Sequence, residues 1–168
     1  MEVIVKKLNE KAVIPYKTYA KDYCYDVVAT SCEEIAPNVY KYGLGLAFQI
    51  ERDGFKPVFG KYDYVGYGFE DDLYTELKNV QLSIDFRPRS SVWKTGLSLA
   101  NCVGTIDELY RGEVSAVFYH VMPAMPKYEV GDRIGQIKLG MALPMEFVEV
   151  CKLSETERGT GGYGSTGK

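Results

Sequence analysis

The sequence predicts an all-β domain of the sandwich, jelly-roll or barrel kind, and three observations carry that expectation. Seventeen glycines, fourteen tyrosines and seven prolines cut the 168 residues into short segments, and glycine and proline are the strongest local breaks in regular structure. Few windows place apolar residues at the spacing of a helical face. The run Val80-Gln81-Leu82-Ser83-Ile84-Asp85-Phe86 alternates apolar and polar residues strictly, as a strand does when one face meets a core and the other meets water.

Taken along the chain, strands are expected at 3–8, where a short apolar run is closed by Lys6 and Lys7, then at 25–29, 44–49, 80–86, 114–121, 133–139 and 147–152. That many short strands with turn signals between them fit two packed sheets or one closed sheet. Only 71–78 and a turn at 90–95 have brief helical character. Two stretches depart from the pattern. Residues 51–78 are rich in tyrosine and acid, including Tyr62, Tyr64, Tyr67, Glu70, Asp71, Asp72 and Tyr74, and are expected to form a long hairpin excursion or surface loop. Residues 154–168 hold one aromatic, no Leu, Ile, Val, Phe or Met, and glycine at 159, 161, 162, 164 and 167. Such a tail offers almost no apolar surface against a high ordering entropy. The expected organisation is one domain over 1–153 followed by a flexible arm over 154–168.

Composition narrows the chemistry. With 46% apolar and 26% charged residues the chain has the core of one compact domain. Its formal charge of −3 gives no bulk attraction to nucleic acid or an anionic membrane. A single histidine, His120, excludes multi-histidine metal sites. It also leaves any Ser-His-Asp or Cys-His arrangement dependent on that one residue, which lies in the apolar run Val117-Phe118-Tyr119-His120-Val121 and reads as a packing residue. Cys24, Cys32, Cys102 and Cys151 show no C-x-x-C spacing, so they read as reduced structural thiols. The N-terminal apolar run is too short for a signal sequence, and no run approaches the ~20 residues of a bilayer-spanning helix. A soluble, cytoplasmic protein is expected.

Gly159-Thr160-Gly161-Gly162-Tyr163-Gly164 fits G-x-G-x-x-G by eye, and 162–168 fits the opening of a Walker loop. Both motifs work at a strand-to-helix turn, and neither has that context here. What survives is a glycine loop whose Arg158, Ser165, Thr166 and Lys168 offer donors and positive charge to a polyphosphate. Asp107 follows apolar Ile106 between Gly104 and Gly112, and the alternation of a tight hairpin turns its carboxylate away from the core. Alone it reads as a turn aspartate capping backbone N–H groups. Arg89, Ser90 and Ser91 after Pro88 read either as a surface turn or as a cradle in which backbone N–H groups and an arginine meet phosphate oxygens.

Five segments in order carry a resemblance: Tyr25-Asp26-Val27; Pro88-Arg89-Ser90-Ser91; Gly104-Thr105-Ile106-Asp107-Glu108-Leu109-Tyr110-Arg111-Gly112; Gly131-Asp132-Arg133-Ile134-Gly135-Gln136; and Arg158 through Gly167. Together they resemble the trimeric dUTP pyrophosphatases (dUTPases), over almost the whole chain except 51–78. The resemblance implies a distorted jelly-roll β-barrel assembled as a homotrimer, with active sites shared between subunits. It implies hydrolysis of dUTP to dUMP and pyrophosphate, which limits uracil incorporation into DNA and supplies dUMP for dTMP synthesis. Asp107 would deprotonate the water that attacks the α-phosphorus, and Tyr110 would exclude a 2′-hydroxyl. Asn101 and the hairpin backbone at Gly104, Thr105 and Ile106 would read uracil. Arg89, Ser90, Ser91, Gln136 and Arg158 would hold phosphates, Tyr163 with Gly164 would close over the base, and Asp26 would hold Mg²⁺ through water. Cys24 and Ser91 stand where glycine is common in the family.

Two other readings stay open at this point. One is dCTP deaminase, a relative sharing the jelly roll, which the Asp107 and Tyr110 arrangement and the full glycine tail disfavour. The other is a regulatory role in which a protein partner docks on the 51–78 insert.

Overall fold

The computed structural model describes residues 2–52 and 80–161. Among these, ten strands follow in order: β1 (Glu2–Lys7), β2 (Tyr25–Val28), β3 (Ser31–Ala36), β4 (Val39–Gly43), β5 (Leu46–Glu51), β6 (Gln81–Arg87), β7 (Leu97–Leu99), β8 (Gly104–Asp107), β9 (Ser115–His120) and β10 (Arg133–Ala142), with one 3-10 turn at Ser90–Lys94. They form a sheet in the order β2-β10-β6-β8, a second in the order β3-β4-β9-β7, and the pair β1-β5. All pairings are antiparallel, which meets the all-β, jelly-roll expectation. No helix of the described residues is long and apolar enough to cross a membrane.

Strict alternation in β6 does what the sequence predicts: Leu82, Ile84 and Phe86 are buried while Gln81 and Arg87 are exposed. The buried face meets β9, whose Ala116 and Phe118 point back at it. Phe118 joins the sheets through edge-on ring contacts with Phe86 at 6.4 Å, Tyr42 at 5.8 Å and Tyr128 at 5.9 Å. The Tyr42 hydroxyl donates to the Tyr128 carbonyl at 3.0 Å, and burial pushes its phenol well above the ordinary value. On the same face, in the neighbouring strand of the sheet, Gly135 of β10 lies under the Phe86 ring. A Cβ there would stand 2.5 Å from Phe86 Cε2 and 2.9 Å from the Arg87 carbonyl oxygen, so the missing side chain is what lets β10 close on β6.

The expected strands at 3–8, 25–29, 44–49, 80–86, 114–121 and 133–139 each coincide with an observed strand to within a few residues, and the 90–95 turn is the 3-10 turn. The expected strand at 147–152 is absent: 143–150 take no regular structure, and Leu143, Met145, Phe147, Val148, Val150 and Leu153 are all exposed. Apolar content alone does not make a strand, whose backbone groups need a ladder partner. The hairpin of β3 and β4 was not visible in the sequence. β3 is exposed along its whole length, so it lacks the buried face that patterning detects, and its turn is set by Asn38 at φ 59°, a conformation asparagine tolerates. The expected helical turn at 71–78 and all of the 51–78 excursion beyond Arg52 lie outside the described residues.

Candidate active site

The candidate residues fall into two clusters at opposite ends of one sheet. β8 is the edge strand, paired with β6 in the register Ser83↔Asp107, Ile84↔Ile106, Asp85↔Thr105 and Phe86↔Gly104. Opposed residues share a face, so Ile106 turns inward with buried Ile84, and Asp107 is exposed on the side of Ser83. A cavity of about 200 Å³ opens here, lined by Asn101, Gly104, Thr105, Ile106, Asp107 and Tyr110, with Phe86 on one wall and residues 113–116 on the other. Six sequence-predicted residues therefore meet in one place. As an edge strand among the described residues, β8 presents backbone donors and acceptors along one side, which is what reading the edge of a planar base requires. The larger cavity, about 400 Å³, is lined mainly by apolar residues such as Val3, Val5 and Phe48 and holds none of the candidate residues.

The chain beyond Asp107 is held tightly. The Tyr110 N–H donates to the Asp107 carbonyl at 3.0 Å, its hydroxyl donates to the Glu113 carbonyl at 3.0 Å, and Arg111 Nη1 donates to the Glu108 and Tyr110 carbonyls. Glu113, which the sequence reading missed, lines the cavity and accepts from the Gly45 N–H at 2.8 Å, fastening the loop after β8 to the turn before β5. The tight hairpin expected around Asp107 does not form among the described residues, because β8 pairs with β6 and the next strand, β9, lies in the other sheet. Glu108 takes a two-pronged ion pair from Arg52. That guanidinium, chiefly by hydrogen bonding, holds the Glu108 carboxyl below the ordinary carboxylate range.

The second cluster centres on Asp26. Although only 5% exposed, its carboxylate accepts from Arg133 Nη1 at 2.9 Å and Gln136 Nε2 at 3.1 Å and pairs with Arg89 Nε at 3.4 Å. Three of the five sequence motifs thus converge on one carboxylate. Arg133 had no role in the sequence reading. Residues three apart on a regular strand face opposite ways, yet Arg133 and Gln136 both reach Asp26, because β10 shifts register between Arg133 and Gly135. A bulge of this kind re-aims a side chain and leaves no mark on hydrophobic alternation. Ser90 and Ser91 open the 3-10 turn directly after Arg89.

Arg158 lies apart from both clusters, exposed, with Nε donating to the Gly161 carbonyl at 2.9 Å. Tyr163 and Gly164 lie outside the described residues. His120 makes a ring-nitrogen contact with the Met125 carbonyl at 3.0 Å and packs edge-on to Tyr40, which fits a packing role. All four cysteines are free.

Sheet geometry gives the distance between the clusters. Gln136 pairs with Arg87 and with Asp26, so Asp26 lies in the row of Arg87, while Asp107 lies in the row of Ser83. Four residues of rise are about 13 Å and three strand spacings about 14 Å, hence roughly 19 Å between the two backbones.

A family model described as dUTPase matches residues 79–167. The deoxyuridine 5'-triphosphate nucleotidohydrolase of Nautilia profundicola is 32% identical over 170 residues, covering 100% of each chain. That of Clostridium novyi is 32% identical over 168 residues, covering 99% of each. Among solved structures, a mutant Staphylococcus bacteriophage 80alpha dUTPase with dUpNHpp superposes with a TM-score of 0.71 at 19% identity over 99% of both chains. A mutant dUTPase from Staphylococcus aureus phage phi11, whose description names a structural Mg(II) ion, gives 0.62 at 16% identity over 90% of this chain and 98% of that one.

Proposed function

This chain belongs to the dUTPase family, and from that premise we propose that it hydrolyses dUTP to dUMP and pyrophosphate at sites built jointly by three copies of the chain. The observation that carries the reading is the exposed Asp107 carboxylate, which lines one cavity together with β8, Asn101 and Tyr110. A base seated against an edge strand is read by fixed donors and acceptors, and a wrong base leaves those groups unpaired. The Tyr110 ring forms the wall on the sugar side and leaves no room for a 2′-hydroxyl. Asp107 accepts the proton of the attacking water, the work a positioned carboxylate does as general base. The α-phosphorus gains that oxygen and releases pyrophosphate.

Arg89, Ser90, Ser91 and Gln136 supply the phosphate contacts, and Arg158, with Tyr163 and Gly164, closes as a lid from the arm over 154–168. Closure excludes water and completes the phosphate shell only when substrate is present.

The donor set at Asp26 fits a hydrated Mg²⁺. A carboxylate has about four lone-pair sites, and the hydrogen bonds from Arg133 and Gln136 with the Arg89 ion pair leave room for one metal-bound water. A single protein carboxylate with the remaining ligands from water and substrate phosphates is how Mg²⁺ is commonly held. Asp26 would hold such an ion through water, and the chemistry it would supply is neutralisation of charge on the triphosphate.

The trimer is supported chiefly by the apolar strip from Leu143 to Leu153, which is exposed beyond what isolated surface residues account for, and it agrees with the roughly 19 Å between the two clusters within one chain. Closed cyclic symmetry would bury that strip and bring Asp107 of one copy to the Asp26 cluster of another. The test is to incubate the full chain with Mg²⁺ and dUTP, dTTP, dCTP or UTP separately. Pyrophosphate and dUMP from dUTP alone are expected. Ammonia from dCTP, or equal turnover of UTP, overturns the reading.

A further inference from the structure

We propose that Gly112 sets the position of the sugar-side wall of the cavity, by leaving Tyr110 the space to lie back against the loop after β8. This rests on the dUTP reading above and names a positioning residue for it. Tyr110 is fixed in the turn by its N–H on the Asp107 carbonyl and its hydroxyl on the Glu113 carbonyl, each at 3.0 Å. Its third support is steric. A Cβ built on Gly112 would have as its three nearest atoms Tyr110 Oη, Cζ at 2.6 Å and Cε2 at 3.1 Å. Carbon atoms in contact sit about 3.5–4.0 Å apart, so a methyl group and the present ring cannot coexist.

The backbone makes no demand for glycine here. Gly45, Gly96, Gly131 and Gly159 have positive φ, and Gly112 does not. Alanine fits the chain conformation at 112, and the ring is what it would displace. Tyr110 lines the cavity and Gly112 does not, so Gly112 meets the ring without itself facing the substrate. A methyl there displaces the ring tip, breaks the hydroxyl bond to Glu113 and reshapes the seat for the sugar. Asp107 stays where the β6 pairing holds it.

The expected signature of Gly112→Ala is therefore a binding defect in a folded enzyme. One misplaced methylene in a pocket is worth ~10–200-fold. We expect KM for dUTP to rise about tenfold with kcat little changed, and the affinity for a non-hydrolysable dUTP analogue, measured by calorimetry, to fall by the same factor. Melting temperature should hold. In a Tyr110→Ala background the same substitution should change nothing, because residues that act through one contact are non-additive. Unchanged KM and affinity in Gly112→Ala overturn the proposal, as does an equal penalty with Tyr110 already removed. If Gly112→Ala alone does not fold, the Tyr110→Ala/Gly112→Ala double variant must, and its failure overturns the proposal too. A wild-type chain that leaves dUTP intact sinks the functional reading, whereas the calorimetric comparison still reports on Gly112.

Discussion

The cavity at β8 draws nearly all its lining from residues 101–116, β8 with the loops on either side of it and the start of β9. The Asp26 cluster takes one side chain from β2, one from the turn after β6 and two from β10, with bonds that span 107 and 110 residues of sequence. In the first, order comes from local turn bonds and one strand pairing. In the second it comes from a buried charge that must be met wherever its partners lie in the chain. The local region can be perturbed one group at a time. The dispersed one ties chemistry to fold stability, because a carboxylate removed from water depends on its donors.

The largest effect that separates them is at Asp107. Asp107→Asn keeps the shape and removes the proton acceptor, so turnover of dUTP should fall about 10²–10⁴-fold with melting temperature unchanged, since the carboxylate is exposed. A drop in melting temperature would mean that Asp107 holds the loop after β8, and the contrast would fail. Mixing sharpens the same comparison. If Asp107→Asn and Arg89→Ala chains are unfolded and refolded together at equal ratio, about a quarter of composite sites between subunits should recover both intact groups. Activity in the mixture well above that of either parent is the expected result. Sites confined to single chains would recover none.

Next in size is the ion-pair cluster itself. Arg133→Ala removes one donor from a nearly buried carboxylate, which costs about 1–3 kcal/mol of stability and loosens Gln136 and Arg89 together. Denaturant titration should show the loss, and KM for dUTP should rise with it. Arg133→Lys should restore part of the stability, because it returns the charge without the planar fork. A variant with wild-type stability would show that Gln136 and Arg89 suffice for Asp26.

The same contrast explains what could be read from the sequence. Asp107, Tyr110 and Asn101 lie within a few residues of one another; spacing alone read Asp107 as a turn aspartate, the resemblance pointed at all three, and the structure brings them to one cavity. Asp26, Arg89 and Gln136 were nameable individually, but their convergence depends on strand order and on a bulge that hydrophobic alternation does not encode. Arg133 and Glu113 were missed for that reason. The strand expected at 147–152 failed in the opposite way. Its residues have the composition of a buried strand, but none of the strands among the described residues pairs with them.

The smallest expected effect lies at the join between the loop after β8 and the strand that precedes residues 53–79. Arg52 holds the carboxyl of Glu108 below its ordinary range, so the folded state binds a proton there less readily than the unfolded state does. The contribution is therefore fully present above the unfolded value of about 4.3 and fades as pH falls through the lower folded value. Arg52 is 39% exposed at the pair, and solvent screening limits such a bridge to about 0.2–1 kcal/mol. Glu108→Gln should accordingly melt slightly below the parent at neutral pH, and the gap should close in acid and shrink in high salt. A gap that persists with Glu108 protonated would mean that the residue is held by shape rather than charge. The loop after β8 would then owe its position to the β6 pairing and the Glu113 contact rather than to the charge of the Arg52 pair.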